Sequence, residues 1–170
     1  MKATRLFIFM FTLLLIGISP MSGQTKKQKK EETQKAIREL VEAQKIKVEV
    51  NTAYPMRGPS KNLTTNYSVE IRNDSVFSYL PYFGIAYSVP YGGGKGLIFN
   101  ERITEYKLTF DKKGTANIRF KTRTDEDSFV YSLSISTSGW ADVNVTPTNR
   151  QAIWFRGSFI YDKPSKKPAK

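Results

Sequence analysis

The chain of 170 residues contains no cysteine and no histidine. Without cysteine there are no disulfides, thiolate metal sites, thiol nucleophiles or covalently attached haem. Without histidine there is no imidazole general base and no zinc site that relies on one. Most hydrolase triads and zinc enzymes are excluded at once. Acidic side chains are also scarce, 15 Asp+Glu against 27 Lys+Arg, which leaves a formal net charge of +12. A surplus of that size points to nucleic acid, an anionic membrane or an acidic polymer as partner, provided the charges lie on the folded body.

Most of them do not. The first 23 residues have the pattern of a secretory signal peptide: Lys2 and Arg5, an apolar run from Leu6 to Ile18, then Ser19-Pro20-Met21-Ser22-Gly23. That run is shorter than the ~18 residues of a spanning helix, so cleavage near Gly23-Gln24 and export to the periplasm or outer envelope are expected. With no cysteine near the cut, attachment as a lipoprotein is excluded. Residues 163–170 hold four lysines and no acid, and residues 24–50 hold eight basic against five acidic side chains. Residues 51–162 hold 13 basic and 10 acidic side chains, a surplus of only +3. The expected organisation is therefore a signal peptide (1–23), a flexible basic lead (24–30), one domain (31–161) and a disordered Lys/Pro tail (162–170). The tail would solubilise the chain or make weak contact with an anionic surface.

Helical spacing over Glu31 to Lys45 puts Ile37, Leu40 and Val41 on one stripe, predicting a short amphipathic helix. Its bland role is to pack on its own domain; the sharper one is to bind a partner. The period then changes to two. Ile46, Val48 and Val50 alternate with polar residues, as do Tyr67, Val69 and Ile71, then Tyr106, Leu108 and Phe110. Ile118 and Phe120 continue the series, followed by Phe129 to Ile135, Val143 and Val145, and Ile153 to Tyr161. Residues 53–62, with Pro55, Gly58 and Pro59, read as loop. Turns are expected at Asn73-Asp74, at 111–114, at 125–127 and at Ser138-Gly139, and Gly157 as a bulge. Alternation of this kind means antiparallel sheet with one face buried. The predicted fold is mainly β, a single barrel or sandwich of about eight to ten strands with an N-terminal helix.

The segment from Tyr79 to Phe99, YLPYFGIAYSVPYGGGKGLIF, interrupts this pattern. It combines six aromatic residues with Pro81, Pro90 and five glycines. Proline removes ladder donors and glycine permits positive φ, so the segment reads as a bent loop whose aromatics can wall a pocket. The candidate ligand-binding residues are Tyr79, Tyr82, Phe83, Tyr87, Tyr91 and Lys95. The run Leu80-Pro81-Tyr82-Phe83-Gly84, with Ala86-Tyr87 and Pro90-Tyr91-Gly92-Gly93, resembles the signature of a family of small exported Bacteroidetes proteins catalogued as a domain of unknown function. Ala53 to Met56, Leu63, Tyr106, Ser138-Gly139 and Ile153 to Gly157 fit the same resemblance, which covers residues 31–161. It implies export, Gram-negative origin and one mostly-β domain, and it carries no catalytic residues to transfer.

Other motifs fail on their chemistry. Gly92 to Gly96 lacks the outer glycine and the Ser/Thr of a phosphate loop, standing instead with Val89 and Gly96. Asp125-Glu126-Asp127 lacks the spacing of a calcium loop and reads as a solvated turn. Glycosidase chemistry needs only two carboxylates, for which Glu70, Asp74, Glu101, Glu105 and Asp142 are candidates, each equally at home on an exposed strand. Arg119, Lys121 and Arg123 alternate along one strand, as the wet face of a sheet also does, so nucleic acid is not expected as partner. Sequons at Asn62, Asn66, Asn73 and Asn144, and Asp74-Ser75-Val76 as a short O-glycan acceptor pattern, indicate polar surface. The leading expectation is a non-enzymatic envelope binding module with its pocket or groove at 79–99 and no cofactor or metal. Its ligand would be a small molecule, lipid or glycan. The alternatives are a structural protein docking on an envelope partner or anionic surface, and a carboxylate hydrolase.

Overall fold

The computed structural model describes residues 22–88 and 94–161. The signal segment up to Met21, the Lys/Pro tail and Tyr91 lie outside the described residues.

One helix, α1 (Ser22–Glu42), precedes nine strands: β1 (Lys45–Pro55), β2 (Lys61–Arg72), β3 (Ser75–Leu80), β4 (Leu97–Arg102), β5 (Thr104–Phe110), β6 (Ala116–Arg123), β7 (Ser128–Ile135), β8 (Trp140–Pro147) and β9 (Ile153–Phe159). The fold is mainly β and antiparallel, as the alternation requires. The helix begins at Ser22 rather than Glu31, through the stretch expected as a flexible lead. Its Gln, Lys and Glu residues are good helix formers. The loop expected over 53–62 is shorter, because β1 runs on to Pro55 and β2 starts at Lys61. β4 escaped the sequence reading, lying against the glycine-rich run that hides its apolar start.

All nine strands join one sheet in the order β4-β3-β2-β1-β9-β8-β7-β6-β5. β1 to β4 form one meander, β5 to β9 another, and β1 pairs with β9. The two ends of the sheet, β4 and β5, are separated by Ile103 alone. At that junction the Ile103 N–H donates to the Asp74 carbonyl at 2.7 Å, and the Thr122 hydroxyl donates to the Arg102 carbonyl at 2.9 Å. β4 and β5 thus act as one bent stave, bonded to β3 on one side and β6 on the other. The result is a nearly closed up-and-down barrel. Eight staves enclose a space that side chains just fill. Phe120, Phe129, Tyr131 and Phe155 are among the largest residues fully buried there. Phe120 stacks on Tyr131 with ring centres 5.1 Å apart, and Phe99 on Phe129 at 4.8 Å.

One end of the barrel carries the turn between β5 and β6 and the start of β1. The C-terminal half of α1 covers it, with Ile37 and Val41 buried in the core, Arg38 over the Phe110 ring at 4.6 Å and Gln34 against Gly114. Gly114 sits at φ +81°, in the left-handed region the turn demands. Gly157 was expected as a bulge; the extra residue is instead Asn51 on the facing strand, where β1 shifts register between Val50 and Thr52. Gly157 pairs with Val50, and a Cβ there would fall on the Glu49 carbonyl. The absence of a side chain lets the bulged backbone approach.

Candidate functional site

The opposite end of the barrel is covered by the aromatic segment. Beyond β3 the chain crosses to the connection between β8 and β9. The Tyr87 N–H donates to the Asn149 carbonyl at 2.8 Å, and the Gln151 N–H to the Ile85 carbonyl at 3.0 Å. The Tyr82 hydroxyl donates to the carbonyls of Gln151 and Ile85, at 2.9 and 3.1 Å. Partial burial raises the Tyr82 phenol above its ordinary pKa, and the nearby Arg150 opposes that rise. Arg150 is buried and bonds the fully buried Asp127 at 3.2 Å and Glu126 at 3.3 Å. Asp127 also accepts the backbone N–H groups of Ser128, Thr148 and Asn149. Two acidic residues of the 125–127 turn therefore hold an arginine and a loop.

The five described candidate residues make separate contacts. Tyr82 points onto the protein's own backbone. Tyr79 meets Tyr67 at 5.2 Å on β3, and Phe83 lies under Lys61 at 5.3 Å. Tyr87 is exposed. Lys95 borders a recess of about 90 Å³ beside Phe99 and Glu126, and its N–H donates to Glu126 at 3.2 Å. Tyr91 lies outside the described residues. Of the five carboxylates singled out for hydrolysis, four are in ion pairs: Glu70 with Arg72, Asp74 with Arg102, Glu105 with Lys121 and Asp142 with Arg156.

A larger groove, about 590 Å³, runs across the outer face of β5 to β9. Its geometry follows from strand register. One cross-strand row reads Lys107, Arg119, Ser132, Asn144, Trp154 and Tyr54. The adjacent row reads Thr109, Asn117, Ser134, Asp142, Arg156 and Thr52. At ~4.8 Å per strand, each row spans about 24 Å. Ser132 and Ser134 of β7 are smaller than their neighbours on both sides, Arg119 and Asn144 for the one and Asn117 and Asp142 for the other, so the middle of the rows is a trough. Trp154 and Tyr54 stack at 4.2 Å to form an aromatic wall at one end. Arg156 lies 4.8 Å from the Trp154 ring and donates to Asp142 at 2.9 Å, an interaction that raises its pKa further. At the other end Lys107 and Arg119 stand directly opposite each other. Of these residues, Arg119 and Asp142 stood out in the sequence for their chemistry, Asn144 as a sequon, and Tyr54, Trp154 and Arg156 only within stretches of the family resemblance. The missed signal is Ser-x-Ser on the outward positions of a strand whose neighbours carry larger outward side chains.

The fold defines the class: a small up-and-down antiparallel barrel, filled inside and covered at one end by a helix and at the other by an aromatic loop. The chain belongs to the family described as Domain of unknown function (DUF4251), whose match spans residues 28–159. A crystal structure of a DUF4251 family protein from Bacteroides eggerthii DSM 20697 is similar in fold, with a TM-score of 0.57 and 20% identity, covering 76% of this chain and 87% of that one. No curated protein matches the chain.

Proposed function

We propose that this protein is an exported, non-enzymatic binding module of the cell envelope, with its ligand site in the outer groove of β5 to β9. The observation that carries the reading is the pair of cross-strand rows with a serine trough between polar walls and an aromatic stack at one end. The interior is filled by side chains, so a ligand has to bind on the outer surface. Its non-enzymatic character is supported by the lack of histidine and cysteine and by four of the five candidate carboxylates being tied up in separate ion pairs. Export rests on the signal pattern of residues 1–23.

The test has two parts. Mass measurement of protein recovered from its native envelope should find a chain starting at Gln24. Amide shift mapping of the mature protein against lipid, glycan and peptide fractions of that envelope should move signals of residues 107–109, 117–119, 132–134, 142–144 and 154–156. A second reading keeps binding at the aromatic loop, where Ile85 and Tyr87 are exposed. Shifts confined to residues 82–88 would favour it and count against the groove.

A further inference from the structure

We infer that the groove takes an acidic oligosaccharide, a proposal that rests on the groove being the binding site. Lys107 and Arg119 are register partners at one end of the rows, and neither has an ion-pair partner among the described residues. Like charges directly opposite each other across a strand pair are destabilising, and an anion between them removes that repulsion. The one carboxylate in the rows, Asp142, is bonded to Arg156 and leaves the two cations uncompensated. Arginine forks match carboxylate geometry, and lysine adds a point charge.

Between this cationic end and the Trp154–Tyr54 wall the lining is Ser132, Ser134, Asn117 and Asn144, hydroxyls and amides that both donate and accept. That alternation of a charge clamp, a hydrogen-bonding trough and an aromatic wall suits a polyol chain carrying carboxylates. A single-stranded nucleic acid would call for aromatics and cations interleaved along the groove. Here the one cation beside the aromatics, Arg156, is bonded to Asp142, and Lys107 and Arg119 lie at the other end, about 14 Å away between β6 and β9 at ~4.8 Å per strand.

The experiment is calorimetric titration of the mature protein, with amide shift mapping in parallel, against four probes: an oligogalacturonate, the matching neutral oligogalactoside, oligothymidylate and phosphatidylglycerol vesicles. The uronate should bind, should shift the groove signals, and should weaken as salt is raised. Lys107→Gln/Arg119→Gln should weaken it about tenfold or more, through lost charge-assisted bonds. Trp154→Ala, a second variant whose folding is to be checked by its melting curve, should weaken both sugars. If the neutral sugar moves the groove signals equally and the double variant binds the uronate unchanged, the acidic assignment fails while the groove survives. Preference for oligothymidylate or vesicles also overturns it. If no probe moves the groove signals, the proposal fails together with the groove reading.

Discussion

Tyr131 of β7 and Ser78 of β3 share a hydrogen bond of 2.9 Å across the barrel interior, and the Ser78 hydroxyl donates to the Leu97 carbonyl at 2.7 Å. Three strands from opposite halves of the sheet are joined in one buried polar contact. Burial raises the Tyr131 phenol far above its ordinary value, partly offset by Ser78. In the unfolded chain the phenol ionises near pH 10. Folding therefore favours the protonated form. The stabilisation is complete below about pH 10 and is lost above it, as the unfolded chain alone sheds the proton. Thermal melts at stepped pH should show a steeper fall above pH ~10 for the native chain than for Tyr131→Phe, by up to about 1.4 kcal/mol per pH unit. Equal slopes would remove Tyr131 from the account.

Tyr106 makes the contrasting case. Its hydroxyl is buried and has no hydrogen-bond partner among the described residues, and burial alone raises its pKa. An unmade hydrogen bond of this kind costs about 1–3 kcal/mol. Tyr106→Phe should be neutral or stabilising in denaturant melts at neutral pH, whereas Tyr131→Phe should cost about 1 kcal/mol there.

Gly157→Ala should be among the most damaging single-methyl changes in the chain. The added carbon meets the Glu49 carbonyl and the Val50 backbone, neither of which is a flexible side-chain end. A loss of about 3 kcal/mol or more in urea melts is expected, against about 1–2 kcal/mol for Gly58→Ala, where the space is open and only the φ of +94° is strained.

The Arg150–Asp127 pair holds the covering loop. Removing one partner of a buried pair leaves the other charge unpaired and costs about 3–5 kcal/mol. Arg150→Met should do so and should speed amide exchange at Tyr87 and Gln151, whose N–H groups bridge the two loops. Slow exchange at both in a folded Arg150→Met variant would show that the loop is held without the pair.

Much of the barrel was legible because half-buried strands write their burial in alternation. β6 reads buried and exposed at every second residue, and β7 and β8 nearly so. β4 was not legible, since its buried Leu97 follows directly on Lys95 and Gly96. The role of the aromatic loop was half legible. Its departure from strand geometry showed in Pro81 and Gly84, but Tyr82 reaches Gln151, 69 residues away, and no local pattern encodes that partner. The groove was least legible. Ser132 and Ser134 become a trough only when register sets the first between Arg119 and Asn144 and the second between Asn117 and Asp142, and register is a property of paired strands.

The central claim is that ligand binds in the groove walled by Trp154. The chain has two tryptophans, and the other, Trp140, is exposed on β8. In a Trp140→Phe variant, emission comes from Trp154 alone. Titration with oligogalacturonate should change that emission saturably, and Ser134→Arg, which fills the trough on an exposed face, should abolish the change without altering the melting temperature by more than a few degrees. Unaltered Trp154 emission at saturating ligand, with binding still registered by calorimetry, would contradict the account.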